Sequence, residues 1–189
     1  MGRKVILIGS SSVGKTSLIN RLIDDSFDDN HLATVGPAFY SHEITLENGQ
    51  TETLQIWDTA GQEKYFSLAK QFFREANIAL ICFDYTDSSS VEAIQKWKDS
   101  ILDVEPNCII YLVATKLDLI TDTTELEAFL DKMTKEDNQV SKSFVTSSRT
   151  GLNVAEVFKE AAREEINQNN TKTTQKLKPL KEEKKDGCC

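Results

Sequence analysis

At 189 residues and a formal net charge of −8, the chain is long enough for one domain with a full core, and its charge sign argues against nucleic acid as main partner. No apolar run approaches transmembrane length, and the chain enters its first strand too early for a signal peptide. The opening MGRKVI carries Ile6 where N-myristoylation needs Ser or Thr. From Asn169 onward six lysines outweigh Glu182, Glu183 and Asp186, so a tail of +3 follows a body of −11. Cys82 and Cys108 lie in or beside apolar runs, without metal spacing, and are expected as reduced core residues.

In chain order, the apolar pattern predicts strands over 3–8, 39–46, 51–57, 77–84, 109–115 and 142–146. Helices are expected over 15–24, 65–74, 89–102, 123–133 and 153–167, and no internal repeat is visible. ENGQ (47–50) between two alternating runs is a hairpin signal, which makes strands two and three antiparallel. ALICFD and IIYLVAT are continuous apolar runs, the pattern of parallel strands covered on both faces. Val154, Val157, Phe158, Ala161, Ala162 and Ile166 put one core-facing stripe on the last helix, with Glu165 its polar exception. The fold class is therefore α/β: a doubly wound, six-stranded, mostly parallel sheet with one antiparallel edge and about five helices. Ligands should bind beyond the C-terminal ends of its strands.

The loop after the first strand reads Gly9-x-x-x-x-Gly14-Lys15-Thr16, the spacing of a phosphate-binding loop. Its backbone N–H groups and the following helix N-terminus converge on a polyanion, Lys15 adds a point charge, and the Thr16 hydroxyl suits Mg2+. Ser11, Ser12, Val13, Gly14, Lys15, Thr16 and Ser17 are the candidate phosphate-binding residues. WDTAGQE (57–63) follows the third strand: Asp58 can hold Mg2+ through water, Gly61 offers an N–H to a terminal phosphate, and Gln62 can orient the attacking water. Lys15, Gly61 and Gln62 are thus the catalytic candidates.

TKLD (115–118) ends an apolar strand. The Asp118 carboxylate can accept from the ring N–H and exocyclic amine of guanine together; adenine lacks that donor pair and leaves the carboxylate unsatisfied, which discriminates by about 10⁴ or more. Lys116 can lay its aliphatic stem against the base. TSSRTG (146–151) follows the next strand, with Ser148 placed to give a backbone N–H to the guanine carbonyl. Thr115, Lys116, Asp118, Ser147, Ser148 and Arg149 form the candidate base-binding set; for each of these two loops taken singly, a generic surface turn is the alternative.

These motifs, in this order and at these distances, resemble the Ras-like small GTPases over about 1–168 plus the C-terminus. The resemblance implies that Thr34 is a switch threonine meeting Mg2+ and the γ-phosphate, and that Phe27 covers the guanine edge; a packed helix-end aromatic is the other reading of Phe27. ICFDYTDSSSVEAIQKW, FFREA and the two final cysteines are most similar to the Rab family. That resemblance implies an effector surface on Phe39, Trp57 and Phe72, with separate core aromatics as the alternative. The chain departs from the family pattern at Thr115 for Asn, Ser148-Arg149 for Ala-Lys, Ser12 and Glu75 for glycines, His31 for tyrosine, and in TVGPAF, where Pro37 removes an N–H. Lys15, Thr34, Asp58 and Gln62 are retained; the Pro37 change bears on effector identity more than on nucleotide binding, and Glu75 on the Rab resemblance.

The resemblance implies a GTP-hydrolysing switch of vesicle trafficking with Mg2+, in which GTP orders 27–38 and 59–74. Hydrolysis is slow and activator-dependent, because no insertion supplies a catalytic arginine in cis. The implied partners are an exchange factor, an activating protein, switch effectors, a prenyltransferase and a prenyl-binding chaperone. A guanine-nucleotide-binding scaffold with impaired hydrolysis is the alternative; a small-molecule phosphotransferase would need an arginine-rich lid that is not visible. Residues 169–189 are expected to be a flexible tail, since they lack any sustained apolar stripe. Cys188 and Cys189 resemble the -CC end of Rab-type proteins, where two geranylgeranyl chains anchor the protein to the cytosolic face of a membrane.

Overall fold

Arg3–Ile8 forms β1 near the middle of a six-stranded sheet, and its apolar part, Val5 to Ile8, is buried on both faces. The computed structural model describes residues 2–29, 34, 36–59 and 66–165, with side chains left out at 66–69. Strand order is β2-β3-β1-β4-β5-β6, with β2 Ala38–Thr45, β3 Thr51–Asp58, β4 Ile78–Asp84, β5 Ile109–Thr115 and β6 Val140–Val145. Only the β2–β3 pair is antiparallel, turning through the 47–50 hairpin, where Gly49 takes a φ of 82°. The mostly parallel sheet with one antiparallel edge is the expected architecture.

The period-two pleat of β1 sorts its side chains between two cores. Val5 and Leu7 pack with Leu18 and Ile19 of α1 (Lys15–Asp24) and with Val157, Phe158 and Ala161 of α6 (Val154–Arg163). Ile6 and Ile8 pack on the other face with Phe73 of α2 (Phe66–Phe73), with Ile94, Trp97 and Ile101 of α4 (Ile94–Val104), and with Leu126 and Leu130 of α5 (Thr124–Glu136). All seven residues of β4 are buried, as its unbroken apolar run demands. Cys82 and Cys108 are core residues; burial pushes both thiols up to about 12, which keeps them protonated and unreactive.

The helix expected over 89–102 is two segments, α3 (Ser88–Glu92) and α4, interrupted at Ala93. The Ala93 N–H is shared between the Ser89 and Val91 carbonyls, so the helical ladder is irregular there. The strand expected to begin at 142 begins at Val140, whose backbone pairs with Ile110 ahead of a register shift. The last helix ends at Arg163 rather than 167, with Arg3 donating to the Ala161 carbonyl at 2.7 Å and also to that of Ala162. His31, Gly61, Gln62, Ile166 and the 169–189 tail lie outside the described residues.

Candidate functional site

The C-terminal ends of β1, β3, β4, β5 and β6 deliver their loops to one edge of the sheet. A cavity of about 310 Å³ opens there, lined by Ser11, Ser12, Gly14, Lys15, Thr16, Ser17, Phe27, Thr34, Thr115, Lys116, Asp118, Ser148 and Arg149. Asp28, Asp29 and Leu119 also line it and were not singled out from the sequence. Val13 and Ser147 are both buried and are not among the residues that line it.

The phosphate-loop spacing has a steric cause. A Cβ on Gly9 would stand 2.1 Å from the Cys82 carbonyl oxygen, and the φ of 143° already favours glycine. Gly14 caps α1 with φ 96°, and Ser12 holds φ 62°, a left-handed conformation usually left to glycine. Lys15 is 5% exposed and its ammonium donates to the carbonyls of Gly9 at 2.9 Å and Ser10 at 2.8 Å. Burial draws its pKa below the ordinary lysine value. The loop thus carries a buried cation directed across its own concavity.

Three oxygens expected to serve one metal ion meet at its edge. Thr16 Oγ1 donates to Asp58 Oδ2 at 2.6 Å and lies 2.6 Å from Thr34 Oγ1. Asp58 is fully buried at the end of β3, and the next residue is fixed by Thr59 Oγ1 donating to the Leu7 carbonyl at 2.7 Å. Two hydroxyls and a carboxylate are hard oxygen donors, and a set this small leaves room for water and phosphate oxygens. That combination fits Mg2+.

At the other end of the cavity, Thr115 joins two loops. Its hydroxyl lies 2.6 Å from the Val13 carbonyl and 3.0 Å from that of Phe83, bonding the phosphate loop to the end of β5. Ser147 Oγ donates to Asp118 Oδ1 at 2.5 Å, and Arg149 Nε lies 3.2 Å from Asp118 Oδ2. Lys116 adopts φ 56° and its ammonium pairs with Asp84 Oδ2 at 2.8 Å. Burial alone would raise the Asp84 carboxyl, but hydrogen bonds from Lys116 and Thr86 outweigh it and hold the group below the usual carboxylate range. Asp84 sits at the end of β4 and anchors the base-side lysine, a role sequence reasoning missed although the strand-end aspartate was visible in ICFD.

Arg21 was missed as well. Its Nε donates to the Ser148 carbonyl at 2.6 Å and a terminal nitrogen donates to that of Arg149 at 3.1 Å, fastening the 146–151 loop to α1. In sequence it reads only as one arm of an i,i+4 pair with Asp25, which it also makes at 2.8 Å.

Outside the cavity, Phe39 and Trp57 are cross-strand partners with ring centroids 5.1 Å apart, and Phe72 joins Trp57 at 5.4 Å. Phe39 is 51% exposed. The three aromatics therefore form one contiguous cluster, not separate core residues.

A family model described as "Ras: Ras family" matches residues 4–167. Similar curated proteins include Ras-related protein Rab-24 of Dictyostelium discoideum, 36% identical over 98% of this chain and 96% of the relative. GTP-binding protein ypt5 of Schizosaccharomyces pombe is 37% identical over 84% of this chain and 75% of its own length. The Ypt/Rab-type GTPase YPT7 of Saccharomyces cerevisiae is 34% identical over 90% of this chain and 84% of its own length.

Proposed function

The chain belongs to the Ras family as a Rab-like small GTPase, a GTP-binding switch of vesicle trafficking, and from that premise we propose how its own residues do the work. The 310 Å³ cavity takes guanine nucleotide, phosphates on the 9–17 loop and base against Asp118. The observation that carries this reading is the pair of oxygens on Asp118, positioned by Ser147 and flanked by Arg149. A ring N–H and an adjacent amine match two acceptors on one carboxylate, and adenine offers no such pair.

Lys15 contributes a desolvated positive charge to the phosphates. Thr16, Thr34 and Asp58 would hold Mg2+, whose contribution is to neutralise charge on the phosphate oxygens. Gly61 and Gln62, next along the chain from β3, take the roles of phosphate contact and water positioning; their place after DTA supports this. Members of this family work with exchange factors, activating proteins and effectors, and the Phe39–Trp57–Phe72 cluster is the surface we assign to effectors. An aromatic cluster of this kind is a common anchor of protein interfaces.

No helix among the described residues is long and apolar enough to cross a membrane. Lipid on Cys188 and Cys189 supplies the attachment instead, loaded by a prenyltransferase and shielded by a prenyl-binding chaperone in the cytosolic pool; two chains anchor stably where one does not. The polar, lysine-bearing 169–187 stretch serves as the tether between lipid and domain. Intact mass of the protein from its native cell should show two prenyl increments; an unmodified mass rejects the anchor.

Competition against fluorescent GDP tests the base assignment. GTP should displace it and ATP should not, while Asp118→Asn should weaken GTP and favour xanthine nucleotide, which carries a carbonyl in place of the amine. Equal displacement by ATP and GTP would reject the assignment.

A further inference from the structure

The guanidinium of Arg149 makes three contacts at once. It pairs with Asp29, its Nε lies 3.2 Å from Asp118 Oδ2, and its Cζ stands over the Phe27 ring, 5.1 Å from the centroid. Asp29 and Phe27 belong to the segment after α1, whereas Asp118 and Arg149 belong to the loops after β5 and β6. All four line the same cavity. One side chain therefore ties the segment that leads toward Thr34 to the loops assigned to the base.

We infer that Arg149 is a strap across the mouth of the nucleotide cavity, and that its ion pair with Asp29 sets the rate at which nucleotide enters and leaves. The inference rests on the guanine-nucleotide reading of the cavity and adds to it a kinetic role for two residues. Arg149 can bear this load because its backbone is fixed from behind: Arg21 of α1 holds the carbonyls of Ser148 and Arg149. The planar fork matters too. Guanidinium nitrogens reach two carboxylates while the same group stands over an aromatic ring, an arrangement the compact ammonium of lysine cannot reproduce.

The ion pair is half in solvent, with the Arg149 and Asp29 side chains 50% and 58% exposed. Pairs so placed are modest in strength, which suits a contact that must open on every exchange cycle. A strap of this kind differs from a contact made only with the bound base. Opening it eases passage in both directions, so association and release change together; loss of a base contact changes release and leaves association alone.

The test uses the full chain, a fluorescent GDP analogue with Mg2+, and stopped-flow measurement of both rates. Asp29→Asn should raise association and release together, each by about two- to fivefold, the range expected of an exposed ion pair. Arg149→Gln should raise release at least as much, and the Asp29→Asn/Arg149→Gln double variant should release no faster than Arg149→Gln alone. Arg149→Lys should also release faster than the parent, since charge without the fork does not rebuild the strap; this conservative variant carries the test if Arg149→Gln fails to fold. Rates in Asp29→Asn equal to the parent's, or fully additive effects in the double variant, overturn the strap while leaving nucleotide binding intact. A parent protein that binds no GDP overturns the nucleotide reading itself, and the strap with it.

Discussion

Thr115 shows how one hydroxyl takes over a structural task in the site. It stands where the family has asparagine, buried at 3% exposure, and its single hydroxyl proton is within reach of two carbonyls, that of Val13 at 2.6 Å and that of Phe83 at 3.0 Å. Valine fills nearly the same volume but has no polar group, so it leaves the Val13 carbonyl without this donor. Thr115→Val should lower stability by about 1–3 kcal/mol, the cost of an unsatisfied buried polar group. It should also weaken guanine nucleotide binding, because the phosphate loop and the Lys116–Asp118 loop lose their direct bond. Denaturant unfolding alongside GDP titration measures both; a variant unchanged in both would show the hydroxyl to be dispensable. The identity of this residue was legible in the sequence, but its two acceptors were not, since they lie 102 and 32 positions away. Residue-scale chemistry written in a short motif can be read directly. Partners brought in by the fold, such as Arg21 for the 148–149 carbonyls or Asp84 for Lys116, cannot.

At the scale of elements, the turn between α2 and β4 carries a cost the sequence already hinted at. Glu75 replaces the glycine of the family pattern and takes φ 62°, where a side chain crowds the backbone. Its N–H donates to Glu105 Oε1 at 2.6 Å, a backbone contact that any residue at this position can keep. Glu75→Gly should therefore raise stability by about 0.5–1 kcal/mol, seen as a higher denaturation midpoint at unchanged slope. A lower midpoint would mean that the side chain contributes more than its backbone conformation costs. Elements with strong apolar periodicity were legible almost to the residue: β1, α1 and the start of β3 fall where the pattern puts them. The break at Ala93 was not, because alanine is a strong helix former and the residue type gives no sign of the N–H shared between Ser89 and Val91. Nor was the early start of β6, where Val140 stands alone before the polar Ser141 and pairing with β5 decides the strand.

Over the whole molecule, the doubly covered sheet and the nucleotide cavity have one origin. Continuous apolar strands bury both faces, and crossover helices then bring the ends of the parallel strands, with the cavity-lining loops after β1, β5 and β6, to the same edge. That logic made the order of the motifs readable before any distance was known. The aromatic cluster needed the fold, since Phe39 and Trp57 become neighbours only through the β2–β3 register. The central claim, that this architecture serves a GTP-hydrolysing switch, is tested most directly by single-turnover phosphate release with GTP and ATP in parallel, on the parent and on Gln62→Leu. The account predicts slow release from GTP, none from ATP, and a Gln62→Leu variant that still binds GTP but releases phosphate more slowly. Comparable release from ATP, or a Gln62→Leu variant as fast as the parent with and without an activating protein, would contradict it.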